Sequence, residues 1–174
     1  MKPGNKIEDS HSHIFVNGKC ECGEEDSNYV PPSDSGNIED GSIATPKALT
    51  ITFDDKNNRS VFSSSQQVWE QNGITVTNNK GNSTSDIADY SNPVYFYKNS
   101  QLIVECSGMV KIEFECNSDS YAFAFISSLP TDTTVSSNGS FVTVTFPNAV
   151  NNFQITSLSA GMVRMNSITV YVVE

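Results

Sequence analysis

An all-β fold, an antiparallel β-sandwich preceded by a polar leader, is what this sequence predicts, and three observations predict it. From Ala48 onward, short runs of β-branched and aromatic residues are punctuated by Asn, Gly, Asp and Ser, the pattern of half-buried strands joined by tight turns. Before residue 47 the chain is polar, acidic and rich in Gly, Pro and Ser, and the segment Gly36 to Pro46 cannot bury a core. Finally, 174 residues at 37% hydrophobic content supply one compact core, whereas two would each be too small to bury their surfaces. The expected organisation is a Cys/His leader over residues 1–28, a flexible acidic linker over 29–47 and one β module over 48–174.

The first strand is expected from Ala48 to Phe53, where Leu49, Ile51 and Phe53 alternate with polar residues before Asp54 and Asp55 end the run. Asn72-Gly73 then offers a two-residue type I′ turn, which would set Trp69 opposite Val76 and Gln71 opposite Ile74. Further strands are expected over 94–97, 101–106, 110–116, 141–146, 152–156 and 163–173. One short helix is expected over 121–129, because Ala122, Phe125, Ile126 and Leu129 fall at helical spacing between the capping candidates Asn117, Ser118 and Asp119 and the breaker Pro130.

The four cysteines form two unlike pairs. If Ser107-Gly108 turns a regular hairpin, Cys106 and Cys116 stand more than about 20 Å apart, too far for a disulfide. Cys106 shares its parity with Leu102 and Val104, and Cys116 with Val110, Ile112 and Phe114, so both read as buried thiols acting as small hydrophobes. In the leader, Asn17-Gly18 offers a second tight turn, which would bring His11, His13, Cys20 and Cys22 to one face. Two imidazoles and two thiolates make a tetrahedral zinc set, structural because four protein ligands leave no open position. The spacings are tighter than those of common zinc fingers, and an unstructured leader with free or oxidised thiols and a local Cys20–Cys22 disulfide stand beside that reading.

Charge and missing residues exclude several functions. Twenty acidic against ten basic residues leave a net charge of −10, which disfavours a direct nucleic-acid partner or an anionic bilayer. No stretch approaches the ~20 apolar residues of a membrane span, and no apolar targeting segment opens the chain, so export would require one that is not present here. Both histidines lie in the leader, leaving the module without an imidazole to activate a Ser or Cys nucleophile. No phosphate-cradling loop is found either; Asn78-Asn79-Lys80-Gly81-Asn82 reads as a turn.

The run His11-Ser12-His13-Ile14-Phe15-Val16-Asn17-Gly18-Lys19-Cys20-Glu21-Cys22-Gly23-Glu24-Glu25-Asp26 resembles a short Cys/His spacer repeat of secreted multi-modular proteins from anaerobic gut bacteria. The segments Ile51 to Asp55, Gln67 to Lys80 and Val163 to Val170 resemble poorly characterised β-sandwich modules of the same kind of protein. The resemblance implies an extracellular or cell-surface module of jelly-roll, galactose-binding-like form. It carries no agreed activity to transfer, and fold likeness alone does not establish function.

The function expected is therefore non-catalytic binding of a glycan or another surface polymer, by a monomeric module attached to a larger secreted protein. A structural spacer or adhesion repeat with no small ligand is the alternative. Trp69, Tyr90, Tyr95 and Tyr97 are the aromatic candidates for stacking on sugar rings. Trp69 is expected to be core, since Val76 faces it, and Tyr90, in the polar segment 82–92, to be exposed. Asp54, Asp55, Asp86 and Asp89 lie in connecting loops where calcium could gather oxygens, although aspartates in such loops commonly bond their own backbone.

Overall fold

The structure is a computed structural model, and it describes residues 45–173. The leader ligands proposed for zinc, His11, His13, Cys20 and Cys22, lie outside the described residues. The described residues form nine antiparallel strands and one α-helix: β1 (Lys47–Thr52), β2 (Arg59–Phe62), β3 (Gln66–Gln71), β4 (Ile74–Asn79), β5 (Val94–Phe96), β6 (Gln101–Cys116), α1 (Asp119–Ile126), β7 (Thr134–Asn138), β8 (Phe141–Ile155) and β9 (Val163–Val172). A 3-10 turn, Lys56–Asn58, precedes β2. The hydrogen-bonded order is β1-β9-β6-β4-β3-β2, with β5 added to β9 and β7 to β8, which also pairs with β6.

The sheet curls because β6 changes neighbours along its length. Its first half, Leu102 to Glu105, runs between β4 and the end of β8; its second half, Lys111 to Glu115, runs between the start of β8 and β9. The two inner faces produced by this bend share one core, containing Phe53, Trp69, Phe96, Phe114 and Phe125, all fully buried. Burying a Trp removes on the order of 200 Å² from water, a contribution of roughly 5 kcal/mol for Trp69. Its edge-to-face contact with Phe53, centroids 5.4 Å apart, adds to this.

The Asn72-Gly73 turn forms in the expected register, Trp69 opposite Val76 and Gln71 opposite Ile74. Both central residues have positive φ, 55° and 79°, as a type I′ turn requires. The strands expected over 101–106 and 110–116 are one strand, β6, so Ser107-Gly108 does not turn a hairpin. Only Gly108 has positive φ there, 72°, so the chain bends instead of reversing. The bend is pinned on both sides, by the Val173 N–H donating to the Gly108 carbonyl (3.0 Å) and the Gly108 N–H donating to Asn151 Oδ1 (3.0 Å). A Cβ at Gly108 would lie 2.4 Å from the Val173 carbonyl oxygen, which excludes any other residue without local displacement.

The strands expected over 141–146 and 152–156 are likewise one strand, β8. Pro147 did not end it because it falls between Thr145 and Val150, where no β6 pairing is lost to its missing N–H. The helix begins at Asp119, with Ser118 as N-cap, and ends at Ile126, buries Ala122 and Phe125, and sets Phe125 4.6 Å from Phe114. Cys106 and Cys116 are buried free thiols, as their parity suggested. Burial, and secondarily Glu115, pushes the Cys116 thiol up to about 12.

Candidate functional site

Three of the four aromatic candidates come together, around β5. Val94 and Phe96 point into the core, so alternation sends Tyr95 to the opposite face of a three-residue strand. Its backbone is fixed twice: β5 pairs with β9, Tyr95 opposite Arg164, and the Asn78 side-chain amide donates to the Tyr95 carbonyl at 2.8 Å. Tyr90 stacks on Tyr95, centroids 4.2 Å apart and planes at 30°, and Tyr97 meets Tyr95 edge-on at 6.4 Å. Tyr90 is 49% exposed, so one ring face packs on Tyr95 while much of the residue meets solvent. Trp69 is 0% exposed and offers no face to a ligand.

The loop presenting Tyr90 is anchored at several points. Ile87 is buried and its N–H donates to the Ser64 carbonyl (2.8 Å). The Gln67 side-chain amide donates to the Ala88 carbonyl (2.9 Å), while Gln67 Oε1 accepts from the Trp69 indole (3.3 Å). Asp89 receives Lys56 Nζ at 2.9 Å and Arg59 Nη1 at 2.5 Å. A side chain held this way loses little freedom when a ligand docks on it.

Sequence reasoning missed two members of the site, Arg164 and Tyr121. The Arg164 guanidinium lies 4.3 Å from the Tyr95 ring centroid and 5.2 Å from that of Tyr121 on α1. The Asn117 N–H donates to the Arg164 carbonyl at 2.8 Å, tying the start of α1 to the same β9 position. Arg164 Nε is buried without a partner. Within the described residues, the guanidinium donates no hydrogen bond and joins no ion pair, and none of the four phenols has a protein partner for its hydroxyl. Burial, then the proximity of Tyr90 and Tyr95, raises the Tyr97 pKa, with Arg164 opposing. The surface thus carries aromatic faces, together with phenol hydroxyls and a guanidinium that have no partner among the described residues.

The four aspartates weighed for calcium each make a separate contact. Asp54 accepts from the Thr52 hydroxyl, Asp55 caps the 3-10 turn through the Asn57 N–H (2.9 Å), Asp86 pairs with Lys80 (2.5 Å) and Asp89 is held by Lys56 and Arg59. Among the described residues no three Asp, Glu, His or Cys side chains gather as a metal would require. The Thr52 bond first of all holds the Asp54 carboxyl below its ordinary value, and Arg59 and then Lys56 do the same for Asp89.

A separate cleft of about 320 Å³ opens where the segment after α1 faces the middle of β8, with Asp132, Thr134, Phe146, Asn152 and Gln154 among its lining residues. No helix among the described residues is long and apolar enough to cross a membrane. Comparison of the chain with family models, curated proteins and solved structures gave no match.

Proposed function

We propose that this chain is a non-catalytic, extracellular carbohydrate-binding module whose curled sheet is a β-sandwich of jelly-roll type, and that Tyr90, Tyr95 and Tyr97 form its recognition surface. The observation that carries the reading is the exposed Tyr90 ring stacked on Tyr95, beside phenol hydroxyls that have no partner among the described residues. The C–H-rich face of a pyranose packs on an aromatic ring, and its hydroxyls bond neighbouring donors and acceptors. Glycan binding also suits the attachment to a larger secreted protein that the leader resemblance implies, since a module of this kind keeps its parent near a polymer. The same reading keeps the leader as a structural zinc hairpin through His11, His13, Cys20 and Cys22, to be tested by metal content of the purified chain.

Glycan-array binding, with and without calcium, tests the function. Wild type is retained on one polysaccharide class, retention survives chelation, and Tyr90→Ala loses about tenfold or more, as expected for losing a base of stacking worth about 1.5 kcal/mol. Silence of the wild type across the array would favour a spacer or adhesion repeat.

A further inference from the structure

We propose that the polymer recognised at the Tyr90–Tyr95 surface is an acidic one, and that Arg164 selects it by receiving the carboxylate of a uronic acid. This inference rests on the carbohydrate reading above and adds a ligand class to it. Arg164 is one of only two arginines in the chain. Arg59, the other, is stacked on Phe62 and Trp69 and neutralised by Asp89. Arg164 is stacked on Tyr95 and Tyr121 with no acid against it among the described residues. Its Nε is buried without a partner, and its terminal amino groups donate to nothing among the described residues. The two rings hold the guanidinium in place, and a planar fork of N–H donors matches a carboxylate through two parallel hydrogen bonds.

The surrounding charge permits this. The net charge of −10 is concentrated in the leader and linker, where residues 1–44 hold nine of the twenty acids; residues 45–173 hold ten acids and seven bases. The acid closest in sequence to Tyr90, Asp89, is occupied by Lys56 and Arg59, and Lys98 follows Tyr97 with no ion pair among the described residues. Tyr90 and Arg164 both pack against the Tyr95 ring, so a polymer lying across this surface has an unspent guanidinium beside it, which a neutral sugar would leave unused.

Affinity electrophoresis of the full chain tests the inference with polygalacturonate and alginate as uronate polymers, methyl-esterified polygalacturonate as the same backbone with its charge removed, galactan as a neutral polymer and dextran sulfate as a non-carboxylate anion. Uronate polymers should be bound at least about tenfold more tightly than the esterified and neutral ones, the scale of one charge-assisted contact. Binding should weaken several-fold between low salt and about 0.2 M NaCl, as screening requires. Arg164→Gln should abolish the preference for the charged form, and Arg164→Lys should restore only part of it. Melting curves show whether each variant is folded, and the salt dependence and esterification contrast need no variant at all. Equal binding of charged and esterified polymer, or equal or tighter binding of galactan or dextran sulfate, overturns the acid selection. If that binding is still lost in Tyr90→Ala, the carbohydrate reading survives it. No binding to any polymer sinks both.

Discussion

The two arginines occupy nearly the same local setting and differ in one respect. Arg59 lies 4.3 Å from the Phe62 ring and 5.5 Å from Trp69; Arg164 lies 4.3 Å from Tyr95 and 5.2 Å from Tyr121. Arg59 closes on Asp89 at 2.5 Å, whereas Arg164 has no acid among the described residues and a buried Nε without an acceptor. A guanidinium stacked, paired and resting on a core Trp is fully used by the fold. One stacked on phenols and unpaired keeps its electrostatic capacity for something outside the fold. Cation–π stacking alone does not mark a site; the missing counter-charge beside exposed rings does.

Removing an aromatic ring from each setting gives the largest contrast. Trp69→Ala, emptying a fully buried site, should cost about 3–5 kcal/mol in urea denaturation. Tyr90→Ala, whose ring is half exposed, should cost less than about 1 kcal/mol. Comparable losses in the two variants would mean that Tyr90 is part of the core and would break the contrast.

The arginines themselves should differ less in size but clearly in pH dependence. Arg59→Gln loses a stack and a pairing and should cost about 1–2 kcal/mol near neutrality. Arg164→Gln loses a stack but relieves an unpaired buried N–H, and should stay within about 0.5 kcal/mol of wild type. Because the folded-state pKa of Asp89 is depressed below its ordinary 3.8, its stabilising effect is complete above that value and is lost as pH falls through the lowered pKa. Thermal melts from pH 5 downward should therefore show a shallower acid loss in Arg59→Gln and an unchanged one in Arg164→Gln.

The smallest effect is expected at high pH. Tyr97 in the folded chain holds its proton above the ordinary 10.0, while the unfolded phenol ionises there, so its contribution is intact below that value and declines as pH rises through the raised pKa. Arg164 opposes the rise, so Arg164→Gln should displace the phenolate absorbance transition further upward, and Arg59→Gln should leave it where it is.

What could be read in the sequence was what local chemistry decides. Asn72-Gly73 specifies its turn through two positive-φ residues, and alternation around Trp69 and Val76 specifies burial. Ser107-Gly108 looked similar but has one positive-φ residue, and continuation of β6 depends on β8 and β9, partners distant in sequence. Strands β2 and β7 each pair with one neighbour only and carry no apolar alternation, so nothing in Arg59–Phe62 or Thr134–Asn138 announced them. Tyr90, Tyr95 and Tyr97 were legible as a group because they sit within one short segment. Arg164 and Tyr121 join them only through the β5–β9 pairing and the placement of α1. The available signal was an arginine on the half-exposed parity of β9, between the buried Val163 and Met165.

The most direct measurement of whether Arg164 meets a ligand is the side-chain Nε–H resonance of each arginine during titration with an oligogalacturonate. The Arg164 signal should move in a saturable way together with the Tyr90 and Tyr95 ring protons, while the Arg59 signal stays fixed. An unmoved Arg164, or shifts confined to the cleft beside Gln154, would contradict the account.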